Sequence, residues 1–365
     1  MRAPLLAAIT LHPTGGGIAV VSNLLWQVFQ QEWGTNSRLA TAFDHESRPA
    51  TFREKARLAV AVNSAQLFAR TDWILFSHLA LAQAQHFVPK PMRRPYGVFL
   101  HGIEAWTDLS ANEKRAVAGA DLRIANSQYT AKRVMNTHPD IGPVDACPLA
   151  LPPPFATGAP RAAGASAVDL GVAVGAHAVL VVGRMSLSER YKGHDQLLDA
   201  WPAVVARVPD AQLLIAGDGD DAPRLRQRAT QTSAADRIHF LGFVPDATLQ
   251  ALYDRAAIFA LPSGGEGFGL VYLEAMMHRL PCVGSKNDAA SEVIVDGVTG
   301  RLVEQRDIAG LADAMATLLI DEPCRKGMGE AGNRRAITEF TFDRFSARLR
   351  ALMHAAEDRR QATAR

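Results

Sequence analysis

The sequence predicts an α/β protein of two domains, each a parallel sheet built from βαβ units. Three observations carry this. Short apolar runs alternate with stretches of helical period through both halves of the chain. A Pro-, Ala- and Gly-rich stretch, residues 148–176, interrupts the alternation near the middle. The chain has 365 residues, which suits two domains, three at most, at about 100–200 residues each.

In order, residues 5–10 form the first apolar run. It reads as a buried strand and not a signal peptide, because the run is short and the cluster Gly15-Gly16-Gly17 follows in place of a cleavage site. Ile18, Val21, Leu24, Leu25 and Val28 then repeat at helical spacing. Further strands are expected at 39–43, 73–76, 96–100 and 122–125, with helices at 50–70 and 112–119 and another from Ser127. In the second half, strands are expected at 178–182, 212–216, 238–241, 257–261 and 281–283. Helices fall between them at 194–207, 222–232, 246–255 and 270–279. A last helix is expected over 343–357, and the tail DRRQATAR, which has no apolar face, should fray. The predicted domains are 1–155 and 178–340, joined by a linker at 156–177 and followed by the terminal helix and tail at 341–365.

Composition narrows the function. Lys plus Arg is 39 against 37 Asp plus Glu, a net charge of +2, so a nucleic-acid partner is not expected. Cys147, Cys282 and Cys324 are far apart, which excludes a zinc ribbon or a dithiol redox pair and fits a reducing cytoplasm. No window of 18 apolar residues exists, so no membrane-spanning helix is expected. A dinucleotide-dependent dehydrogenase is disfavoured because HPTGGGIAV sets its glycines too close for G-x-G-x-x-G.

The most informative stretch is PSGGEGFGLVYLEA, residues 262–275. An apolar strand runs into a glycine-rich turn, and a helix begins near Gly269. Backbone N–H groups and the dipole at a helix N-terminus make an anion site, and glycines let phosphate approach the backbone. Glu266 and Glu274 lie eight positions apart, and a carboxylate accepts hydrogen bonds from paired sugar hydroxyls. The plainer alternative is a capping Glu266 and a solvated Glu274.

This run resembles the E-x7-E motif of retaining glycosyltransferases of the GT-B fold, especially glycosyltransferase family 4. The resemblance extends over residues 5–350. It implies two Rossmann-like domains facing across a cleft, with a C-terminal helix returning to the first. Gly183-Arg184 and Tyr191-Lys192-Gly193-His194 stand in the expected order. The resemblance gives Arg184 and Lys192 the donor diphosphate, where fixed cations stabilise the charge of a leaving nucleotide. The loop between them is long and charged; Arg190 is a competitor for the same role but reads as a surface cation ahead of a phosphate ligand. Glu274 is implied to bind the ribose hydroxyls and Glu266 the transferred sugar. Gly267 and the N–H groups of Phe268, Gly269 and Leu270 would surround phosphate and sugar. Gly217-Asp218-Gly219 would shape a turn. Backbone near Val244 would read the nucleobase, with Phe243 either core or a stacking ring.

In the first half the resemblance assigns His101, at a strand end, to the donor sugar, and Gly16, Gly17 and Asn126 to substrate contact. Ser127 is also a good helix N-cap, and His12 is a weaker acceptor-side candidate. With no carboxylate placed as a nucleophile, the resemblance implies retention by same-face attack, with a phosphate oxygen taking the proton, gated by domain closure. No D-x-D-type metal motif stands out near a strand end, and the acidic Asp218-Gly219-Asp220-Asp221 reads as a turn, so no essential metal or other cofactor is expected. The implied reaction moves a hexose from a UDP- or GDP-sugar to a glycan or lipid-linked acceptor in bacterial polysaccharide or glycoconjugate synthesis. The basic residues Arg48, Arg53, Lys55, Arg57, Lys90, Arg93 and Arg94, near the apolar Leu58, Val60, Val62, Leu67 and Phe68, suit either a solvated helix or peripheral docking at the inner membrane face. A nucleotide-sugar epimerase and a non-catalytic nucleotide-sugar-binding module are the rival readings.

Overall fold

A computed structural model describes residues 1–12, 16–43, 51–68, 70–151 and 174–363. They divide into two compact units, Met1–Pro153 with Phe340–Arg365, and Pro154–Glu339. The expected linker at 156–177 lies almost wholly outside the described residues, as do Gly15 and Arg48.

Unit 1 holds β1 (Pro4–Ala8), β2 (Arg38–Thr41), β3 (Trp73–Phe76), β4 (Tyr96–Leu100), β5 (Leu122–Ala125) and β6 (Asp145–Ala146). They form one parallel sheet in the order β2-β1-β3-β4-β5-β6. Leu5 sits between Arg38 and Ile74. β1, β3 and β4 are buried along their whole length, which is why they read as unbroken apolar runs without alternation. Strand order reverses between β1 and β3, so the loops after those strands leave the sheet side by side. The first helix, Gly16–Trp33, covers one face with Val21, Leu24, Leu25, Val28 and Phe29. β6 is only two residues long and half-buried, too short to leave a pattern.

The terminal helix Phe342–Thr363 belongs to unit 1. It buries Phe345, Leu349 and Met353, and Arg350 donates to Glu32 on the first helix at 3.0 Å. The helix runs through most of the expected tail, to Thr363. Arg, Gln and Ala are good helix formers, and Arg360 reaches Asp121 at 3.8 Å.

Unit 2 holds β7 (Ala178–Val182), β8 (Gln212–Ala216), β9 (Ile238–Gly242), β10 (Ile258–Leu261), β11 (Cys282–Ser285) and β12 (Gly300–Val303). The parallel order is β12-β11-β10-β7-β8-β9, the Rossmann order with its reversal between β7 and β10. Val179 lies between Ile258 and Leu213.

Sequence patterning missed β12 and the helices Ile308–Ile320 and Glu322–Glu339. The second helix hides its packing face in glycines. A Cβ at Gly329 would lie 1.9 Å from the Arg279 carbonyl oxygen, and one at Gly332 would meet Met276 at 3.1 Å. Among the described residues, no helix is long and apolar enough to cross a membrane.

Candidate active site

In unit 2 the chemistry gathers where the strand order reverses. Arg184 follows β7 and the glycine-rich turn follows β10. Between β7 and the helix His194–Arg207, the chain makes a tight helical turn, Leu187–Lys192, and Gly193 takes a left-handed φ of 84° to end it. The N–H of Gly264 donates to the Tyr191 carbonyl at 2.8 Å, so the two loops are pinned together. The Tyr191 ring lies where a Cβ on Gly265 would come within 2.7 Å. This docking delivers Lys192 Nζ to Glu266 Oε1 at 3.0 Å, each side chain about 15% exposed. Two residues that the sequence singled out for separate roles are thus in direct contact.

Burial alone would push the Lys192 ammonium down. The Glu266 charge, with Tyr191 and Glu189 behind it, outweighs that, and its pKa is raised. Arg184, 76% exposed, pairs with Glu189. Arg190, the competitor for the phosphate role, is held instead by Asp221 at 3.1 and 3.2 Å. His194, behind Lys192, is buried, and burial together with the Lys192 charge pushes its pKa down to about 4. It is therefore neutral and adds no charge to the site.

Glu266 does not cap the helix. Its own N–H donates to Asp288 Oδ2 at 3.0 Å, and Asp288 also accepts from Ala290 N–H at 2.9 Å. Burial pushes the Asp288 carboxyl up to about 7, against the pull of those two donors. Helix Leu270–Met277 begins after Gly269, whose φ is 86°. A Cβ there would strike the Tyr272 ring at 2.5 Å, and that ring is fixed by Tyr272 Oη donating to Leu261 O at 2.6 Å. Phe268 is buried, so its ring anchors the turn.

Glu274, just over one turn into that helix, is not a free solvated carboxylate. Tyr253 Oη donates to its Oε2 at 2.9 Å. Burial raises its pKa, opposed by Tyr253 and assisted by the charge of Asp246. Asp246 opens the helix that follows Val244, so the β9 loop lies on the Glu274 side of the site. Phe243 is 78% exposed, which removes the core reading for its ring.

In unit 1 the loops after β1, β3, β4 and β5 share one sheet edge. His101 Nε2 lies 2.6 Å from the Ser77 carbonyl oxygen. A carbonyl only accepts, so Nε2 carries a proton. Asn126 Nδ2 donates to His101 O, and Ser127 caps the helix Gln128–Thr137 by accepting from Thr130 N–H. Ser22, on the helix that Gly16 and Gly17 begin, meets Ser77 at 3.2 Å. His78, not singled out in the sequence, stacks on His101 at 5.7 Å. Burial, then the His101 charge, pushes it down to about 4. Asp288, Tyr253 and His78 escaped sequence reasoning because no spacing marks them. Among the described residues, no group of three or more His, Cys, Asp or Glu is placed to hold a metal ion.

Two Rossmann-like units, the second with an ion pair at the carboxyl edge of its sheet, define an α/β protein of the GT-B fold. Residues 176–321 match the family model "Glycosyl transferases group 1". The chain is 34% identical over 178 residues to a GDP-mannose-dependent alpha-(1-6)-phosphatidylinositol monomannoside mannosyltransferase of Mycolicibacterium smegmatis, covering 47% of each chain. It is 32% identical over 254 residues to the D-inositol 3-phosphate glycosyltransferase of Corynebacterium glutamicum, covering 67% of this chain and 59% of that one. The match thus spans about half the length of such relatives. Anabaena Alr3699/HepE, solved in complex with UDP, superposes over 97% of this chain and 100% of its own with a TM-score of 0.74 at 19% identity, a likeness of fold. Residues 176–321 thus resemble a group 1 glycosyltransferase domain, and the described chain has the GT-B fold.

Proposed function

We propose that the protein is a retaining, metal-independent glycosyltransferase that moves a hexose from a nucleotide-diphosphate sugar to a glycan or lipid-linked acceptor in bacterial glycoconjugate synthesis. The observation that carries this is the Lys192–Glu266 contact at 3.0 Å, at the strand-order reversal of unit 2. An α/β sheet binds its ligand at such a reversal. The donor is a GDP-sugar first, in line with the mannosyltransferase relatives, and a UDP-sugar second.

Lys192 and Arg184 meet the diphosphate. The helix starting at Leu270 adds its N-terminal dipole, with Gly267, Phe268 and Gly269 lining the approach. Glu266 holds hydroxyls of the transferred sugar, Glu274 those of the ribose, and backbone at Val244 the base. As the anomeric C–O bond to phosphate breaks, the leaving oxygen gains charge that Lys192 and Arg184 offset. The acceptor hydroxyl bonds to that carbon from the same face, and its proton passes to the departing phosphate. In unit 1 we assign Gly16, Gly17, His101 and Asn126 to substrate contact.

Calorimetric titration with UDP, GDP and ADP in EDTA tests the donor site, on wild type and on Glu274→Ala. One nucleotide should bind selectively and lose affinity in the variant. No binding of any nucleotide sinks the assignment, and binding only after Mg²⁺ is added sinks the metal-independent part.

The lipid-linked acceptor has its own support in unit 1. Helix Phe52–Leu67 buries Leu58 and Val62 but exposes Val60 and, just past its end, Phe68, which is 70% exposed. Arg53, Lys55 and Arg57 lie on the same helix. Arg94 N–H donates to Gln66 Oε1 at 3.0 Å, bringing the second basic segment alongside. Such a surface suits an anionic bilayer. The protein should float with anionic vesicles, not with neutral ones, and high salt or Arg53→Glu with Arg57→Glu should release it. Equal flotation with both vesicle types would remove peripheral docking from the proposal.

A further inference from the structure

We propose that Tyr253 is a positioning residue that fixes the carboxylate of Glu274 and thereby sets how strongly the site distinguishes ribose from deoxyribose. This rests on the donor reading of Glu274. A carboxylate engages a vicinal diol well only when its plane is fixed, because each oxygen must meet one hydroxyl. The restraint comes from a different helix, Asp246–Arg255, through Tyr253 Oη to Oε2 at 2.9 Å.

Tyr253 is suited to the task. It is fully buried, and burial followed by the Glu274 charge raises its pKa well above the ordinary phenol value. The phenol therefore stays protonated and acts as a permanent donor. Its ring is held by His278, stacked at 5.2 Å and 15°. His278 is in turn fixed by Asp254 at 2.6 Å and Gln250 at 2.9 Å. Glu274 is thus the end of a layered stack, and a free surface glutamate would need no such support. The phenol occupies one lone pair of Oε2 and leaves the rest of the carboxylate to accept from a ligand.

The test is calorimetry with ribonucleoside diphosphates and their 2′-deoxy and 3′-deoxy counterparts. In Tyr253→Phe, which keeps the ring stack, affinity for the ribonucleotide should fall about tenfold, the scale of losing a hydrogen bond to a charged group. The deoxy forms should be almost unaffected, so the ribo-to-deoxy ratio shrinks. Tyr253→Phe in a Glu274→Ala background should cost nothing further. An unchanged ratio in Tyr253→Phe, or losses that add in the double variant, overturns the proposal. If Tyr253→Phe fails to fold, His278→Ala gives the same reading: a partial shrinking of the ratio supports the stack, and an unchanged ratio overturns it. Failure of the donor reading itself looks different, because Glu274→Ala alone would then leave the ratio untouched.

Discussion

Lys192→Ala is expected to lower turnover by about 10²–10³-fold with the donor at saturation, the usual scale for removing one fixed group that stabilises a developing oxyanion. The loss should fall mainly on kcat, because the charge on the leaving phosphate grows only as the bond breaks. Ground-state nucleotide affinity should fall less, since Arg184 and the backbone at Gly269 remain. The variant also leaves Glu266 without its cation. Because each side chain of the pair is only about 15% exposed, water screens an unpaired Glu266 poorly, and the melting temperature should fall as well. Steady-state kinetics with a melting curve separates the two effects. A kcat within about threefold of wild type would remove Lys192 from the chemistry.

The raised pKa of Lys192 fixes the sign of one pH effect. Its folded pKa lies above the unfolded value, so the ion pair's contribution is complete below the unfolded pKa and is lost only as pH rises through the folded one. Lys192 therefore stays charged across neutral assay conditions. Any inflection near neutrality must come from elsewhere, and Asp288, pushed up to about 7 beneath Glu266, is a group positioned to produce one.

Much of this site was legible because loops at strand ends carry both the backbone freedom and the charged residues. Lys192, Glu266 and Glu274 each stand near a glycine that the turn requires, and local chemistry marks them. The supporting residues are not so marked. Tyr253 lies on a helix whose apolar spacing is ordinary, and its hydroxyl acquires meaning only when β10 and the following helix bring Glu274 to it. Asp288 sits 22 positions after Glu266, joined to it through space and by no periodicity. The fold shows the same division. Buried strands such as β3 and β10 announce themselves as apolar runs. β12 has an exposed Arg301 in its four residues, and helix Glu322–Glu339 uses Gly329 and Gly332 where an apolar stripe would be sought. Arg190, which the sequence reads as a surface cation ahead of a phosphate ligand, is held by Asp221, a partner that no local spacing announces.

Gly193→Ala should be among the most disruptive single-atom changes near the site, although it touches no reacting group. Gly193 has φ of 84°, which an L side chain adopts only with strain. A Cβ there would also lie 2.5 Å from the Pro262 carbonyl oxygen and 2.9 Å from its carbon. Both partners are backbone, so neither can swing aside as a flexible side chain would. The clash falls between the loop bearing Lys192 and the loop bearing Glu266, and relief requires the two to move apart. The 3.0 Å ion pair and the Gly264–Tyr191 hydrogen bond should then both fail. Strain and overpacking together are worth on the order of 2–4 kcal/mol, a fall of about 5–10 °C in melting temperature for a domain of this size. Turnover should drop at least as far as in Lys192→Ala, with nucleotide binding weakened as well, because the glycine-rich turn is displaced together with the lysine. Gly297 has a similar φ of 73°, but a Cβ added there would meet no atom within 4 Å, which makes it the matched control. Gly297→Ala should show the backbone strain alone and keep its activity. If Gly193→Ala melts and turns over like Gly297→Ala, the two loops are not held in register by Gly193, and the docking of Lys192 onto Glu266 must have another source.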